Sequence, residues 1–342
     1  MRWICMAEKY QVITDKLELE LKRMRSEGRT KLPSEQELAG LFSCSRQTVR
    51  ASLEVLQKKG LIEKRKGSGS YLVDNSSDSR TVFFMTEDCD RYQSPALISG
   101  LKERLVSAGY QLKTFSTGGS IKGEEEVLLQ VIEGRPAALI TEPLRDLVPN
   151  PNSRLIEEIT NMGIPVIYCN SLSGSVNVTP GNTEGCRMLT KKLIESGRKN
   201  IACIFRMDSS SGRDRYQGYI DAIPDSHFDE SKCMLLTYQE EKDIISGNEK
   251  KLSSFADGIL SGCDAVICQN GIIAHQLANI LNKAGRSVPD DITVACFDNG
   301  YYSSGDLMTA GYDNDAFCKA LARTAVALAE GRDAKSVIIP VR

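Results

Sequence analysis

Leu32-Pro33-Ser34-Glu35-Gln36-Glu37, followed shortly by Ser45-Arg46-Gln47-Thr48-Val49-Arg50, decides the fold of the amino-terminal segment. Ser34 stands three residues ahead of Glu37, so each side chain can satisfy the other's backbone N–H at a helix start. Leu38, Leu41 and Phe42 then face inward, and Ser43-Cys44-Ser45 reads as a turn. Ser45 can cap a further helix whose Val49, Leu53 and Leu56 share one face, with Gly60 as its stop. Upstream, Ile13, Leu17, Leu21 and Met24 recur at helical spacing, which predicts a first helix over 10–24 that ends before Gly28. Two helices joined by a tight turn make a helix-turn-helix. Arg46, Gln47 and Arg50 fall off the apolar stripe near the start of the last helix, where a recognition helix presents side chains to base edges and phosphates. Residues 61–65 and 70–73 read as short strands around Lys66-Gly67-Ser68-Gly69, a hairpin wing. Its glycines let the turn approach a sugar-phosphate backbone, while Lys64, Arg65 and Lys66 offer positive charge.

The whole chain has 342 residues, more than one hydrophobic core usually organises, so two or three compact units are expected. With 41% hydrophobic and 26% charged residues the composition is that of a soluble globular protein, neither disordered nor fibrous. No stretch approaches the roughly 18 apolar residues of a membrane span, and residues 1–10 lack the apolar core of a signal peptide, so the expected location is the cytoplasm. Eleven cysteines, an odd and scattered set without a C-x-x-C pair, read as reduced thiols rather than a disulfide framework or zinc ribbon. Cys203 and Cys296 sit in apolar runs as small hydrophobes. His227 and His275 are the only imidazoles and have no partners at ligand spacing, which leaves little for a histidine metal site or a Ser/His/Asp triad. No metal, cofactor or catalytic residue is expected.

The net charge of -2 conceals an asymmetry: residues 1–74 hold 15 Lys and Arg against 10 Asp and Glu, and the remainder is acidic. A basic head on an acidic body implies that only the head meets nucleic acid. Beyond the polar stretch 74–79, apolar runs at 81–85, 111–115, 137–140, 165–169, 200–205, 234–237, 265–268 and 293–297 alternate with amphipathic segments at 96–107, 124–133, 154–162, 184–195, 213–222 and 272–284. Such alternation predicts an α/β body of parallel sheets covered by helices, and its length fits two sheets better than one. Ligands of open parallel sheets bind beyond the carboxyl ends of the strands. That rule selects Glu87, Asp88, Tyr92, Glu142, Asn170, Arg206, Asp208, Asn270, Asp298 and Asn299. Carboxylates, amides and a guanidinium, with Tyr92 for stacking, suit a polyhydroxylated neutral ligand.

The head motifs quoted above, with Leu56, Gly60-Leu61-Ile62 and Gly67-Ser68-Gly69-Ser70, resemble the GntR-type winged helix-turn-helix over about 65 residues. The resemblance implies Arg46 and Arg50 on DNA, Thr48 at the phosphates, and the wing tip of Lys66, Gly67, Ser68 and Gly69 in the minor groove. It brings Ser34, Glu35, Ser45 and Gln47 into the same DNA-binding set. Gln36 stands where many members have Arg. The body, through Gly163-Ile164-Pro165-Val166-Ile167, Arg215-Tyr216-Gln217-Gly218-Tyr219 and Val288-Pro289-Asp290-Asp291-Ile292-Thr293-Val294 with Phe297-Asp298, is similar to the LacI-type effector domain, itself built like periplasmic sugar-binding proteins. By that likeness Arg215, Asn270 and Asp298 hydrogen-bond a sugar from one lobe, and Tyr92, Glu142 and Asn170 from the other. Two departures stand out: Asn270-Gly271 replaces the usual Asn-Asp, and Gly181-Asn182 the usual Asp-Asn.

A GntR-type head on a LacI-type body, with Thr141-Glu142-Pro143, resembles the arabinose-responsive repressors of Gram-positive bacteria. The expectation is therefore a DNA-binding domain at 1–74, a linker at 75–79 and an effector and dimerisation domain at 80–342. One lobe is expected from 80–199 with 300–330, the other from 200–299 with 331–342. The partners implied are a roughly palindromic duplex operator, a second copy of the chain, and a small neutral sugar with L-arabinose the leading candidate. The protein would then be a repressor of carbohydrate genes that sugar releases from DNA. The alternative, an enzyme carrying a regulatory head, lacks a Walker loop, paired metal-binding acids, a nucleophile elbow or a Schiff-base lysine in a cofactor pocket.

Overall fold

The computed structural model describes residues 12–21, 23–24, 29–58, 61–65, 68–72, 79–90, 92–297 and 306–342. The head holds a first helix α1 at 12–21 and 23–24, then α2 (Glu35–Leu41) and α3 (Arg46–Lys58). The reciprocal cap forms as expected: Ser34 N–H donates to Glu37 Oε2 at 2.7 Å and Glu37 N–H to Ser34 Oγ at 3.3 Å. Ile13, Leu17, Leu21 and Met24 of α1 close over Leu38 of α2 and Val49, Leu53 and Leu56 of α3 in one buried cluster. The wing is β1 (Ile62–Arg65) antiparallel to β2 (Gly69–Leu72). Residues 30–32 join it, Leu32 N–H donating to Ser70 O and Leu72 N–H to Thr30 O. Gly60, Lys66, Gly67 and linker residues 75–78 lie outside the described residues.

The body contains two sheets in which every strand pairing is parallel. The first is built from β3 (Thr81–Thr86), β4 (Gln111–Ser116), β5 (Ala138–Thr141), β6 (Val166–Cys169), β7 (Asn177–Pro180) and, late in the chain, β13 (Val337–Ile339), in the order β13-β7-β6-β5-β3-β4. The second takes β8 (Ile201–Arg206), β9 (Cys233–Leu236), β10 (Ala265–Cys268), β11 (Thr293–Phe297) and β12 (Leu307–Ala310), in the order β12-β11-β10-β8-β9. The first sheet is flanked by α4 (Ser94–Ser107), α5 (Ile121–Gly134), α6 (Ser153–Asn161) and α12 (Asn314–Ala329). The second is flanked by α7 (Asn182–Glu195), α8 (Ser210–Ala222), α9 (Tyr238–Ile245), α10 (Lys250–Asp257) and α11 (Gly271–Lys283).

The lobe boundaries expected from sequence need correction at three places. Residues 182–199 belong to the second lobe, because Cys186, Leu189 and Leu193 of α7 pack into the core made by β8, β10 and β11. Gly218 makes that packing possible: a Cβ there would lie 2.1 Å from Thr183 O on α7. Residues 307–310 also remain in the second lobe, since β12 pairs with β11. Conversely β13 returns to the first sheet beside β7, where Ile339 joins the core under α4 and α12. The chain thus crosses between lobes near 181, 311–313 and 340, and Gly311 and Arg342 bond each other's backbone at the crossover.

Candidate effector cleft and DNA-binding face

The parallel strands of the body point their carboxyl ends toward the junction of the lobes, where a cavity of about 260 Å³ lies. The structure gathers Tyr92, Glu142, Asn170 and Asn270 around it, together with Glu87, Asp88 and Arg206 from the wider set named from sequence. Glu142, directly after β5, accepts from Thr86 Oγ1 at 2.6 Å and from Asn170 Nδ2 at 2.8 Å, so its carboxylate is fixed in orientation. Tyr92 and Asn170 both hold left-handed backbone, at φ 55° and 54°. Non-glycine residues enter that region at a cost, and such positions gather at ligand sites.

From the second lobe, Asn270 caps α11 through Oδ1 and donates from Nδ2 to Glu241 Oε1 at 2.9 Å. Arg206 Nη1 donates to Glu241 Oε2 at 2.9 Å, and Arg206 Nε faces Asp208 Oδ1 at 3.4 Å. Burial alone would lower the Arg206 pKa, but Glu241 and Asp208 hold it above the ordinary value, so the guanidinium stays charged. Sequence reasoning missed Glu241, Asp146, Tyr238, Lys242 and Tyr312, which also line the cavity. Glu241, Tyr238 and Lys242 lie on α9, a helix of 8 residues that the apolar pattern did not reveal. The capping box of Thr237 with Glu240 is the signal that could have found it. Where Gly271 removes the usual carboxylate beside Asn270, Glu241 places one against the Asn270 amide.

Arg215 does not reach this cavity. It is buried in an adjoining chamber of about 120 Å³ whose wall shares Tyr92, Asn270 and Tyr312. Its guanidinium lies 4.1 Å from the centre of the Phe297 ring, donates from Nε to Asn182 Oδ1 at 2.9 Å, and reaches Gln269 O through Nη1. Burial lowers its pKa. Asp298 and Asn299 lie outside the described residues.

The lobes touch directly around the cavity. Asp146 of the first lobe accepts from Ser210 N–H, at the start of α8, at 2.7 Å, and from Ser171 Oγ at 2.7 Å. A carboxylate at a helix N-terminus meets unpaired N–H groups and the positive end of the dipole. On another side Tyr238 OH and Lys242 Nζ donate to Gly119 O, each at 3.3 Å, and Gly271 N–H donates to Tyr92 OH at 3.3 Å.

On the head, Arg46 and Gln47 are exposed at the first turn of α3. Ser45 Oγ accepts from Thr48 N–H at 3.1 Å and pairs with Thr48 Oγ1 at 2.8 Å, so these two hydroxyls shape the helix start. Arg50 makes a two-point contact with Glu35 of α2, Nη2 to Oε2 at 2.8 Å and Nε to Oε1 at 3.2 Å. On the wing, Gly69 has φ 111° and Ser68 Oγ pairs with Tyr71 OH at 2.6 Å. Arg65 lies over the Tyr71 ring at 4.4 Å and pairs with Glu63.

Residues 9–72 match the family described as bacterial regulatory proteins, gntR family, and residues 190–342 the periplasmic binding protein-like domain. An arabinose metabolism transcriptional repressor of Geobacillus stearothermophilus is 30% identical over 276 residues, spanning 79% of this chain and 76% of that protein. The chain belongs to the arabinose-repressor family. A second arabinose metabolism transcriptional repressor, from Halalkalibacterium halodurans, is 26% identical over 80% of this chain and 76% of its own length. Among solved structures, a regulator in complex with cellobiose superposes at a TM-score of 0.66 over 91% of this chain and 98% of its own, at 18% identity. A periplasmic binding protein/LacI regulator of Alkaliphilus metalliredigens, complexed with D-xylulofuranose, does so at 0.64 over 77% and 97%, at 19% identity. These two likenesses speak for the fold. As a member of the arabinose-repressor family, this chain is a sugar-responsive transcriptional repressor whose gntR-type head binds DNA. Among the described residues no helix is long and apolar enough to cross a membrane.

Proposed function

We propose that the chain acts in the cytoplasm as a homodimer that holds a two-fold operator through its heads, and that a neutral pentose, L-arabinose first among candidates, enters the interlobe cavity and releases the DNA. The observation that carries the ligand reading is the pair of oriented carboxylates, Glu142 from one lobe and Glu241 from the other, facing one cavity. Its size sits just below the ~300 Å³ lower end of small-molecule pockets, which favours one sugar ring over an oligosaccharide. Glu87, Asp88, Glu142, Asp146 and Glu241 outnumber Arg206 and Lys242 on its wall, so a phosphorylated sugar would meet repulsion. In this reading Glu142, Asn170 and Asn270 bond ring hydroxyls, Tyr92 covers the ring, and Arg215 supports Asn182 and the backbone at Gln269 from behind. DNA is read by Arg46 and Gln47, with Thr48 and the Ser68–Gly69 wing tip at the backbone. Two-fold pairing of heads on a pseudo-palindrome is the usual geometry for such readers. The pentose couples to DNA by favouring one arrangement of the lobes. Calorimetric titration with L-arabinose, D-xylose, D-ribose and their phosphates tests it. A neutral pentose should bind most tightly; a preference for a phosphorylated sugar contradicts the reading.

A further inference from the structure

We propose that the head-proximal end of the first lobe carries a second DNA-contacting surface, a cationic trough that takes the phosphate backbone of duplex flanking the operator. The trough has a volume of about 760 Å³ between the end of α4, the outer face of α12 and the segment leading into β13. Arg104, Lys319, Arg323, Arg332 and Lys335 surround it, with Asp333 the acid on its wall. Arg104 is held by Asp315, and Arg332 by Glu330, but Lys319, Arg323 and Lys335 are exposed and have no carboxylate partner among the described residues. Such a concentration of positive charge is out of keeping with an acidic body, which as a whole repels DNA.

Its position follows from topology. The trough includes Ala108, and the next residues, Tyr110 and Gln111, are tied to the point where the chain arrives from the head. Gln111 N–H donates to Arg80 O at 2.6 Å, and the Arg80 guanidinium lies 5.2 Å from the Tyr110 ring centre. Because every strand in the sheet is parallel, the segment before β13 lies at this same end, opposite the effector cavity. Leu72 of the wing and Ser79 are joined by six intervening residues, so they lie at most about 25 Å apart. A duplex gripped by the head is therefore presented to the trough at high effective concentration.

The test uses the full chain and two duplexes carrying a sequence it selects from a random pool, one of about 20 base pairs and one longer by a helical turn at each end. Affinity is measured from low to moderate salt for wild type and for the double variant Lys319→Gln, Arg323→Gln. The wild type should gain affinity and salt sensitivity on the longer duplex. The variant, with unchanged melting temperature and pentose binding, should lose that gain, its salt slope on the longer duplex falling by about 1 per phosphate contact removed. Equal affinities of variant and wild type on the longer duplex overturn the proposal, as does an equal loss on both duplexes. Thermal stabilisation of wild type by inorganic tripolyphosphate without any length dependence on DNA would reassign the trough to a soluble polyanion, and so overturn it too.

Discussion

Glu35, the first residue of α2, grips Arg50 of the recognition helix by two parallel hydrogen bonds of 2.8 and 3.2 Å. The planar guanidinium fork thereby joins the two helices, with the Arg50 side chain still 59% exposed. In the proposed reading Arg46, one turn earlier and exposed, faces a base or phosphate. Arg46→Ala should therefore weaken operator binding by roughly 10-fold or more with no change in melting temperature. Arg50→Ala should lower both. If Arg50→Ala weakens DNA binding while the head's thermal transition stays put, Arg50 is a direct contact.

The same pair sets a pH dependence. Hydrogen bonding to Arg50 holds the Glu35 carboxyl below its ordinary value of 4.5. A depressed folded-state pKa contributes stability that is present above the unfolded value and lost as pH falls through the folded one. The stability difference between wild type and Glu35→Gln should thus be constant from neutral pH down to about 5 and shrink below 4.5. Denaturant unfolding of the head across that range checks it, and a difference that instead grows on acidification would rule the pair out.

In the cleft, Glu142→Gln replaces an acceptor of two bonds with an amide that must turn a donor toward Thr86 or Asn170. A hydrogen bond to a charged group is worth about 1.5–3 kcal/mol, so pentose affinity should fall roughly 10- to 100-fold while operator affinity without sugar is retained. Calorimetry and anisotropy on the same preparation separate the two.

Asp146 ties the lobes by accepting from Ser210 N–H of the second lobe, while Ser171 of its own lobe holds the carboxylate in place. Asp146→Ala should shift the lobes toward a more open population, seen as a larger radius of gyration in solution scattering without ligand. Pentose should reverse the expansion, at a lower apparent affinity than wild type because ligand must now close the lobes itself. An unchanged scattering profile would show that the remaining interlobe bonds suffice.

Gly218 explains a motif that sequence inspection recognised without explaining. With Cys186 and Thr183 of α7 against its backbone, any Cβ collides. Gly218→Val should destabilise the second lobe by about 1–3 kcal/mol or more through overpacking, measurable as a lower denaturant midpoint.

The head could be read from sequence because its signals are local: a reciprocal cap at Ser34 and Glu37, an apolar stripe on α3, and glycines at the wing. The body's other apolar strands were equally plain. The strands β7, β12 and β13 were not: Asn177, Thr179 and Pro180 break the apolar run of β7, Thr309 interrupts β12, and β13 has only 3 residues. Their membership decides where the chain crosses between lobes, which is a long-range property that periodicity does not encode. For the same reason α7 was assigned to the wrong lobe. In the site, the rule of strand carboxyl ends found Tyr92, Glu142, Asn170, Arg206 and Asn270, but residues supplied by the short helix α9 escaped it. The Arg215 side chain packs among Asn182, Gln269 and Phe297 in the adjoining chamber, which shares Tyr92 and Asn270 with the cavity, a placement its motif alone does not encode.

Fluorescence anisotropy of the full chain on its selected duplex, titrated with L-arabinose at fixed salt, tests the coupling of cleft to head most directly. The account predicts a saturable loss of DNA affinity of at least about 10-fold, abolished by Glu142→Gln. DNA affinity that stays constant through saturating L-arabinose, D-xylose and D-ribose would contradict it.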